Sequence, residues 1–181
     1  MADDHALLAA LADIQRRGAI GEVSLAAAVT HADQFVDALP VGVERLVDLG
    51  SGGGLPGLVI AVRRPTLAIT LVERRRSRAD LLQRAVRALR LEQVAVFSGD
   101  VSDLAATKAH SFGVVTARSF AAPEVTARWA GELLEADGVL VVSEPPQQSD
   151  ERWPASVLVA AGLTDLGLVG GIRRFQRVGG P

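Results

Sequence analysis

The sequence predicts an α/β protein with a doubly wound, mostly parallel sheet of seven strands. Strand and helix patterns alternate from residue 45 onward, which is the order that a parallel sheet with crossover helices requires. The strands are apolar on both faces, as buried parallel strands are. The last segment, LTDLGLVGGIRRFQRV, contains two short strand patterns around Gly170-Gly171 and therefore predicts an antiparallel hairpin at the C-terminal end.

The spacing of apolar residues predicts five strands and four helices before that hairpin. We expect the strands at Arg45–Leu49, Leu67–Val72, Val94–Ser98, Gly113–Ala117 and Val139–Ser143. We expect the helices at Leu55–Arg63, Arg76–Leu89, Pro123–Glu135 and Pro154–Ala161. Proline suits the first turn of a helix, and it stands near the start of three of these helices, at Pro56, Pro123 and Pro154.

Two further helices are predicted before the alternating region. In residues 4–17 the apolar side chains recur at helical spacing up to Gly18, at Leu7, Leu8, Leu11 and Ile14. A second helix follows Ser24 as N-cap and ends at Pro40, with an inward face made of Leu25, Val29, Ala32, Val36 and Leu39. We therefore expect residues 1–40 to pack as helices on a core of residues 41–181, within a single domain.

The composition predicts a cytoplasmic globular protein. The 181 residues suffice for one domain with a substantial core, and no window has the length of a membrane span. The opening stretch MADDHALLAA carries two acids and makes a poor signal peptide. The chain has no cysteine, which excludes disulfides and thiolate metal sites, and its net charge of −2 is not that of a typical nucleic-acid binder. We expect a monomer with no metal ion and no membrane partner.

A glycine-rich loop between the first strand and the next helix indicates a bound cofactor. The stretch VDLGSGGGLPGL holds the spacing G-x-G-x-x-G from Gly52 to Gly57. Glycines permit backbone angles and close approach that a Cβ would block. A tight turn without a ligand is the plain alternative for one glycine, but four glycines in residues 50–54 favour a ligand.

Charge decides between the two cofactors that such a loop can hold. Asp48, Glu73 and Asp100 lie at or just after the ends of the first three strands, and in a doubly wound sheet these ends line one crevice. Three carboxylates would repel the pyrophosphate of NAD, whereas S-adenosylmethionine carries a sulfonium and an ammonium group. The acids favour S-adenosylmethionine, and a parallel sheet closed by an antiparallel hairpin is the plan of class I methyltransferases. An NAD oxidoreductase is the less favoured interpretation.

Two segments of the chain resemble the RsmG (glucose-inhibited division protein B) family. They are LVDLGSGGGLPGLVIAVRRPTLAITLVERRRSRADLL and VTARSFA, within about residues 45–145. The resemblance implies a Rossmann-like class I methyltransferase fold and methylation of N7 of a guanine in small-subunit (16S) ribosomal RNA. Such a reaction takes no proton from N7, so the lack of an obvious catalytic triad is no objection.

The resemblance also implies a set of site residues. Asp48, Gly50, Gly52 and Gly54 would form the methionine side of the cofactor site, Glu73 would bind the ribose, and Asp100 and Val101 would flank the adenine. Arg118 would stand at the catalytic mouth, near cofactor and RNA. The resemblance also implies that the cofactor is bound by Ser51, Leu55 and Arg74, and that Arg118 contacts the cofactor as well.

Arginines mark the candidate RNA surface. The helix that follows Glu73 presents Leu82, Val86 and Leu89 to the core, so its arginines must face outward. They are Arg74, Arg75, Arg76, Arg78, Arg84, Arg87 and Arg90, and Arg173 and Arg174 add a second group. Guanidinium groups pair with phosphates in a bidentate way, but a solvated helix face explains the same pattern. Three scattered histidines, His5, His31 and His110, indicate no metal site.

Other functions stay open at this point. In place of the family's Trp-Asn…Asn-Leu-Thr and Arg-His segments, the N-terminal region reads GAIGEVSLAAAVTHADQF, where only His31 has a counterpart. That difference motivates a cofactor-binding module without activity. The acidic segment SEPPQQSDER after the fifth strand, Glu144 to Glu151, stands where the family has a lysine-containing loop and favours a small-molecule or protein acceptor.

Overall fold

A seven-stranded sheet with the order β3-β2-β1-β4-β5-β7-β6 forms the centre of the computed structural model. The structure describes residues 4–145 and 152–179. Its strands are β1 (Arg45–Leu49), β2 (Ala68–Glu73), β3 (Val94–Ser98), β4 (Phe112–Ala117), β5 (Leu134–Ser143), β6 (Leu163–Val169) and β7 (Ile172–Arg177). Its helices are α1 (Asp4–Arg16), α2 (Leu25–Ala38), α3 (Gly57–Arg63), α4 (Arg76–Ala88), α5 (Val101–Lys108), α6 (Pro123–Leu133) and α7 (Ala155–Ala160).

The pairing of the strands confirms the predicted fold class. β1 pairs in parallel with β2 and β4, and the parallel part extends to β3 on one side and β5 on the other. β7 then pairs antiparallel with both β5 and β6, which is the predicted C-terminal hairpin. The strand order reverses between β1 and β4, and in sheets of this type ligands bind at the carboxyl ends of the strands near such a reversal.

Helices cover the sheet on both faces. One face carries α1 to α4, and its core includes Leu11, Phe35 and Ile172. The other carries α5, α6 and α7, where the ring centroids of Trp153 and Phe175 lie 4.7 Å apart. Burial of these side chains, at roughly 1.5–3 kcal/mol for each large apolar residue, is the main force that holds the layers together.

Ion pairs and a cap fix the two N-terminal helices on the first face. Arg63 of α3 pairs with Asp4 of α1 and, at 3.0 Å, with Asp33 of α2. The Ser24 hydroxyl accepts a hydrogen bond from the backbone N–H of Ala27 at 3.3 Å and caps α2 as predicted. Among the described residues, no helix is long and apolar enough to span a membrane.

Most predicted boundaries agree with the structure to within two residues, and three features differ. Helix α5 was not predicted, because only three of its eight residues are buried and its apolar periodicity is therefore short. β5 begins at Leu134 rather than Val139, since the chain leaves α6 and passes directly into the sheet beside Phe112.

The inward face of α2 is the third difference. Of the predicted inward side chains, Ala32 and Leu39 are buried, whereas Leu25, Val29 and Val36 are only half-buried. The buried positions of the helix are instead Ala28, Ala32, Phe35 and Ala38. The large ring of Phe35 determines the rotation of the helix, because it occupies the space between α2 and the sheet.

Candidate functional site

The glycine loop, residues 50–57, lies at the carboxyl end of β1. The Ser51 N–H donates to the Val72 carbonyl at 2.9 Å, and the Ser51 hydroxyl donates to the Asp48 carbonyl at 2.9 Å. Gly50 has a φ of +63°, and a Cβ there would lie 2.8 Å from Cδ2 of Phe120. Only glycine satisfies both the backbone angle and the close approach of the ring.

The middle of this loop touches the connection between α1 and α2. A Cβ on Gly53 would lie 2.2 Å from Cγ1 of Ile20 and 2.9 Å from the Ala19 carbonyl oxygen. No side chain fits in that space. The glycine loop is therefore in contact with Phe120 through Gly50 and with the N-terminal helices through Gly53.

Glu73, at the end of β2, binds the backbone of the loop. Its carboxylate accepts the Gly52 N–H at 3.0 Å through Oε2 and the Arg75 N–H at 2.7 Å through Oε1. The residue is 5% exposed. Each carboxylate oxygen has two lone pairs, so each oxygen with one such bond can accept a second hydrogen bond from a ligand.

Asp48 lies below the loop in the interior. Oδ1 accepts a hydrogen bond from the Thr116 hydroxyl at 2.7 Å, and Oδ2 has no hydrogen-bond partner among the described residues. Burial raises the pKa of Asp48 to about 6, against the opposing effects of the Thr116 hydroxyl and the charge of Arg118. A buried carboxylate of this kind gains stability when a positive charge approaches it.

Asp100 caps α5 at the end of β3. Its Oδ1 accepts the Ser102 N–H at 3.0 Å and the Ser102 hydroxyl at 2.9 Å. These two bonds lower the pKa of the exposed Asp100, and the charge of Arg74 adds to them.

A first cavity of about 470 Å³ opens above these strand ends. Five of the predicted site residues line it: Gly50, Glu73, Arg74, Asp100 and Val101. The remaining predicted residues of the loop and of β1 lie below or beside this cavity, all buried except the half-buried Gly52: Asp48, Ser51, Gly52, Gly54 and Leu55.

The opposite wall of the first cavity was not predicted. It comes from the segment after β4 and from α6, and includes Phe120, Val125 and Trp129. The aromatic residues in SFAAPEVTARW were the available signal, but only the packing of α6 beside α5 shows that they face the ends of β2 and β3.

The expected ring of acids is wrong as a description of this cavity. Glu73 and Asp100 line it, but Asp48 is buried below, and Arg74, Arg75 and Arg78 stand on the same walls. The arginines follow Glu73 directly in the sequence, so they reach the mouth of the cavity from the start of α4. Repulsion of a phosphate by carboxylates therefore does not by itself select the cofactor.

Arg118 follows β4 and lines a second cavity, of about 410 Å³, on the other side of the glycine loop. Burial lowers the pKa of Arg118, and the charge of Asp48 opposes that shift. No residue in the described part of the chain forms a hydrogen bond or a close ion pair with its guanidinium. His31 of α2 is near enough for Arg118 to lower its pKa, although burial contributes more.

The two predicted groups of RNA-binding arginines lie far apart in the strand order. Those of the α4 region are exposed, apart from the half-buried Arg78, and α4 packs beside β2 and β3. Arg173 and Arg174 belong to β7, beyond β5. Arg173 pairs with Asp165 at 2.6 Å, and Nε of Arg174 is buried without a partner among the described residues.

The remaining predicted residues take no part in a described ligand site. His110 contacts the Leu134 carbonyl at 3.1 Å, and His5 is exposed on α1. No group of three metal-ligating side chains occurs in residues 4–145 and 152–179. Most of the acidic segment, residues 146–151, lies outside the described residues. Its first acid, Glu144, is buried and accepts the Trp153 indole N–H at 2.6 Å.

The family model of rRNA small subunit methyltransferase G (GidB) matches residues 26–155, a range that holds the glycine loop, Glu73, Asp100 and Arg118. The chain belongs to this family. Ribosomal RNA small subunit methyltransferase G from Neisseria meningitidis serogroup C is 38% identical over 120 residues, which cover 65% of this chain and 56% of that relative. The protein of the same name from Acidiphilium cryptum is 39% identical over 143 residues, 72% of this chain and 64% of that one.

The chain thus spans between half and two thirds of the length of these two family members. Solved structures support the class I methyltransferase fold. A cofactor-bound protein from MTB, Rv0187, has a TM-score of 0.67 at 21% identity and covers 97% of this chain and 90% of its own. An O-methyltransferase from Bacillus cereus, in complex with SAH, has a TM-score of 0.65 at 16% identity, with 98% and 92% coverage.

Proposed function

We propose that this family member is an S-adenosylmethionine-dependent methyltransferase that methylates N7 of a guanine in small-subunit ribosomal RNA. One observation carries the proposal. The family match spans residues 26–155, and the structure joins its glycine loop to Asp48 and Glu73 by the hydrogen bonds described above. The loop and these two acids thereby form one connected unit at the ends of β1 and β2, and Arg118 lies on the other side of the loop.

The residues of the first cavity fit S-adenosylmethionine. The lone pairs of Glu73 that remain free can accept the two ribose hydroxyls, and Asp100 and Val101 can flank the adenine beside Trp129. The methionine end of the cofactor belongs at the glycine loop, where the unpaired Oδ2 of the buried Asp48 favours a nearby positive charge. The loop residues around this end are Gly50, Ser51, Gly52, Gly54 and Leu55. Arg74 stands at the mouth and borders the adenosine side.

The bound cofactor supplies an electrophilic methyl group, and N7 of guanine has a free lone pair to attack it. No proton leaves N7 in this reaction, so the chain needs no general base. Its residues must instead orient the guanine in line with the methyl group and exclude water, which are effects of proximity and desolvation. Arg118 stays protonated and can orient the acceptor through a hydrogen bond without removing a proton.

The arginines of α4 are the proposed contact with RNA phosphates. Arg84 and Arg87 are exposed on the outer side of that helix, while Arg74, Arg75 and Arg78 continue the same charge to the mouth of the first cavity. A positively charged path that leads into the crevice suits a polyanionic substrate. Glu144, the first acid of the segment that favours another acceptor, has its side chain against Trp153 and is not available to such an acceptor.

Transfer of a labelled methyl group tests the function. The protein is incubated with labelled S-adenosylmethionine and small ribosomal subunits that lack the modification, with naked ribosomal RNA and with a protein extract. Label should enter ribosomal RNA and appear as N7-methylguanosine after digestion. Label in the protein extract alone, or in no fraction, contradicts the proposal.

A further inference from the structure

The α1–α2 connector, residues 17–24, forms a wall of fixed shape. Gln15, near the end of α1, donates from Nε2 to the Gly21 carbonyl at 2.8 Å and to the Val23 carbonyl at 3.0 Å. Ile20 is buried against Gly53 of the glycine loop. Hydrogen bonds from one side and close packing from the other hold this connector in place, so the second cavity behind it is a preformed space.

The two cavities are bordered by the same two segments of the chain. Gly50 of the glycine loop lines the first cavity, and Gly53 of the same loop lines the second. Arg118 lines the second cavity, while the next two residues, Ser119 and Phe120, line the first. Two ligands, one in each cavity, would therefore border on the same glycine loop and the same end of β4, and a group transfer between them would have to take place there.

The lining of the second cavity selects the chemistry of its ligand. The walls consist mainly of small or apolar residues: Ala19, Ile20, Gly21, Val23, Ala27, Ala28 and Gly53. The Ser24 hydroxyl already accepts the N–H of Ala27, and none of the described residues in the lining is acidic. The unpaired Arg118 is thus the one charged group in this lining. An ammonium group would find no carboxylate here, whereas an aromatic ring with a hydrogen-bond acceptor at its edge would find apolar contacts and the Arg118 donor.

We propose that the second cavity receives the acceptor base itself, a purine turned out of the RNA, with Arg118 donating a hydrogen bond to its O6. Enzymes that modify a base commonly hold it between apolar groups outside the stack and contact its polar edge. Arginine is the usual donor to O6 of guanine. This assignment rests on the proposed function, and it makes the α1–α2 connector and the first turn of α2 the elements that set the size of the acceptor.

Adjacent alanines of α2 allow a matched test. Ala26 and Ala27 are both exposed in the first turn of the helix, but only Ala27 lines the second cavity. Ala27→Leu should fill part of the cavity and lower kcat/KM for unmethylated small subunits by roughly tenfold or more at saturating cofactor, a loss that corresponds to at least ~1.4 kcal/mol. Ala26→Leu, with the same change in helix propensity and volume, should stay within about twofold of the wild type. Equal rates in the two variants would overturn the assignment.

A binding measurement separates this inference from the function on which it rests. Guanosine 5′-monophosphate is titrated by calorimetry into the wild-type protein and both variants, each saturated with S-adenosylhomocysteine. We expect the wild type and Ala26→Leu to bind the nucleotide with similar affinity, and Ala27→Leu to bind it at least roughly tenfold more weakly. That result supports the base pocket even if no methyl transfer to RNA is found. No binding by the wild type, or equal affinity in all three proteins, contradicts the pocket even if RNA is methylated.

Discussion

Asp48 makes the stability of the folded protein depend on pH. Burial raises the pKa of its carboxyl from 3.8 to about 6, so between these values the folded state holds a proton that the unfolded state has released. Stability from this group therefore falls as the pH rises through that interval and stays at the lower value above it. The difference between the two pKa values corresponds to about 3 kcal/mol.

Asp48→Asn should remove this dependence. The amide keeps an oxygen that can accept the Thr116 hydroxyl, but it cannot ionise. We expect the free energy of unfolding of the variant, relative to the wild type, to increase by roughly 2 kcal/mol between pH 4 and pH 7. Urea unfolding of both proteins over that range measures it. If the free energies of unfolding of the two proteins change in parallel with pH, ionisation of Asp48 does not destabilise the folded state.

Glu73 combines a role in the fold with the proposed role in binding. Its carboxylate satisfies the N–H groups of Gly52 and Arg75, so Glu73→Ala should leave both without their partner and lower stability as well as affinity. Glu73→Gln keeps one accepting oxygen and removes the charge. We expect Glu73→Gln to bind S-adenosylhomocysteine roughly 10- to 100-fold more weakly, since a hydrogen bond to a charged group contributes ~1.5–3 kcal/mol.

The control for this variant is its melting temperature without ligand. Because the amide NH2 must face either the Gly52 or the Arg75 N–H, a modest decrease in Tm is expected, and only a large decrease would assign the loss of affinity to a distorted loop. Calorimetric titration that gives unchanged affinity would remove Glu73 from the ribose site.

Arg118→Lys separates geometry from charge at the end of β4. Lysine keeps the positive charge but lacks the planar fork of donors that fixes a base edge. We expect the variant to stay folded, to bind S-adenosylhomocysteine like the wild type, because Arg118 does not line the first cavity, and to lose most methyl transfer. Turnover close to that of the wild type at saturating cofactor would exclude Arg118 from acceptor orientation.

Helix α4 presents the arginines that we propose bind RNA phosphates. Arg84 and Arg87 are exposed and have no described ion pair, so reversal of both charges leaves the core side of the helix unchanged. Arg84→Glu with Arg87→Glu should weaken RNA binding and flatten its dependence on salt, because phosphates that the helix no longer binds keep their counterions. Binding isotherms at several salt concentrations measure both effects.

Arg45→Glu with Arg64→Glu is the control for that experiment, because it changes the net charge by the same amount. Both arginines are exposed and lie away from the first cavity, Arg45 at the start of β1 and Arg64 between α3 and β2. This double reversal should change RNA affinity much less than the α4 pair does. If both reversals have equal effects, net charge rather than the α4 surface determines binding, and the surface is a solvated helix face.

Elements with strong local patterns were predictable, and those set by tertiary packing were not. β1 and β3 have the predicted bounds because a run of apolar residues ends at a polar or glycine signal on each side. Helix α5 could not be predicted, because only three of its side chains are buried and its apolar pattern is too short to indicate a helix. The predicted strand ends also placed Glu73 and Asp100 correctly at the carboxyl edge of the sheet, because Glu73 ends β2 and Asp100 follows β3.

The division of the crevice into two cavities depends on contacts that no local pattern contains. Arg118 was expected beside the cofactor because β4 ends at the crevice, but Phe120 packs on Gly50 and leaves Arg118 on the other side of the loop. The contact between Ile20 and Gly53 joins residues of two separate segments. Arg75 and Arg78, which offset the acids, were assigned to the RNA surface rather than to the cavity.

The whole molecule links its N-terminal helices to the proposed chemistry. α1 and α2 are held by Arg63 through Asp4 and Asp33, and they hold the connector that closes the second cavity. Without α1, α2 and their connector, the walls of the second cavity would be reduced to Gly53 and Arg118. In the proposed arrangement, acceptor binding depends on the N-terminal helices, whereas cofactor binding depends on the strand ends, and the two parts are in contact through Gly53 and Ile20.

Ligand-induced stabilisation of the whole protein tests the choice of cofactor. A ligand that binds only the folded state stabilises it, by about 2.7 kcal/mol at 100 times its Kd. For a domain of this size each kcal/mol raises the Tm by about 2–4 °C, so S-adenosylhomocysteine should raise it by roughly 5–10 °C. NAD should cause no shift, because the Glu73 carboxylate already occupies the Gly52 N–H in the middle of the glycine loop. Since Arg74, Arg75 and Arg78 line the same cavity, charge alone does not settle this choice, and the thermal shift decides it. A shift with NAD and none with S-adenosylhomocysteine would contradict the methyltransferase proposal. If the ligand occupies the first cavity, S-adenosylhomocysteine should raise the Tm of Glu73→Gln less than that of the wild type.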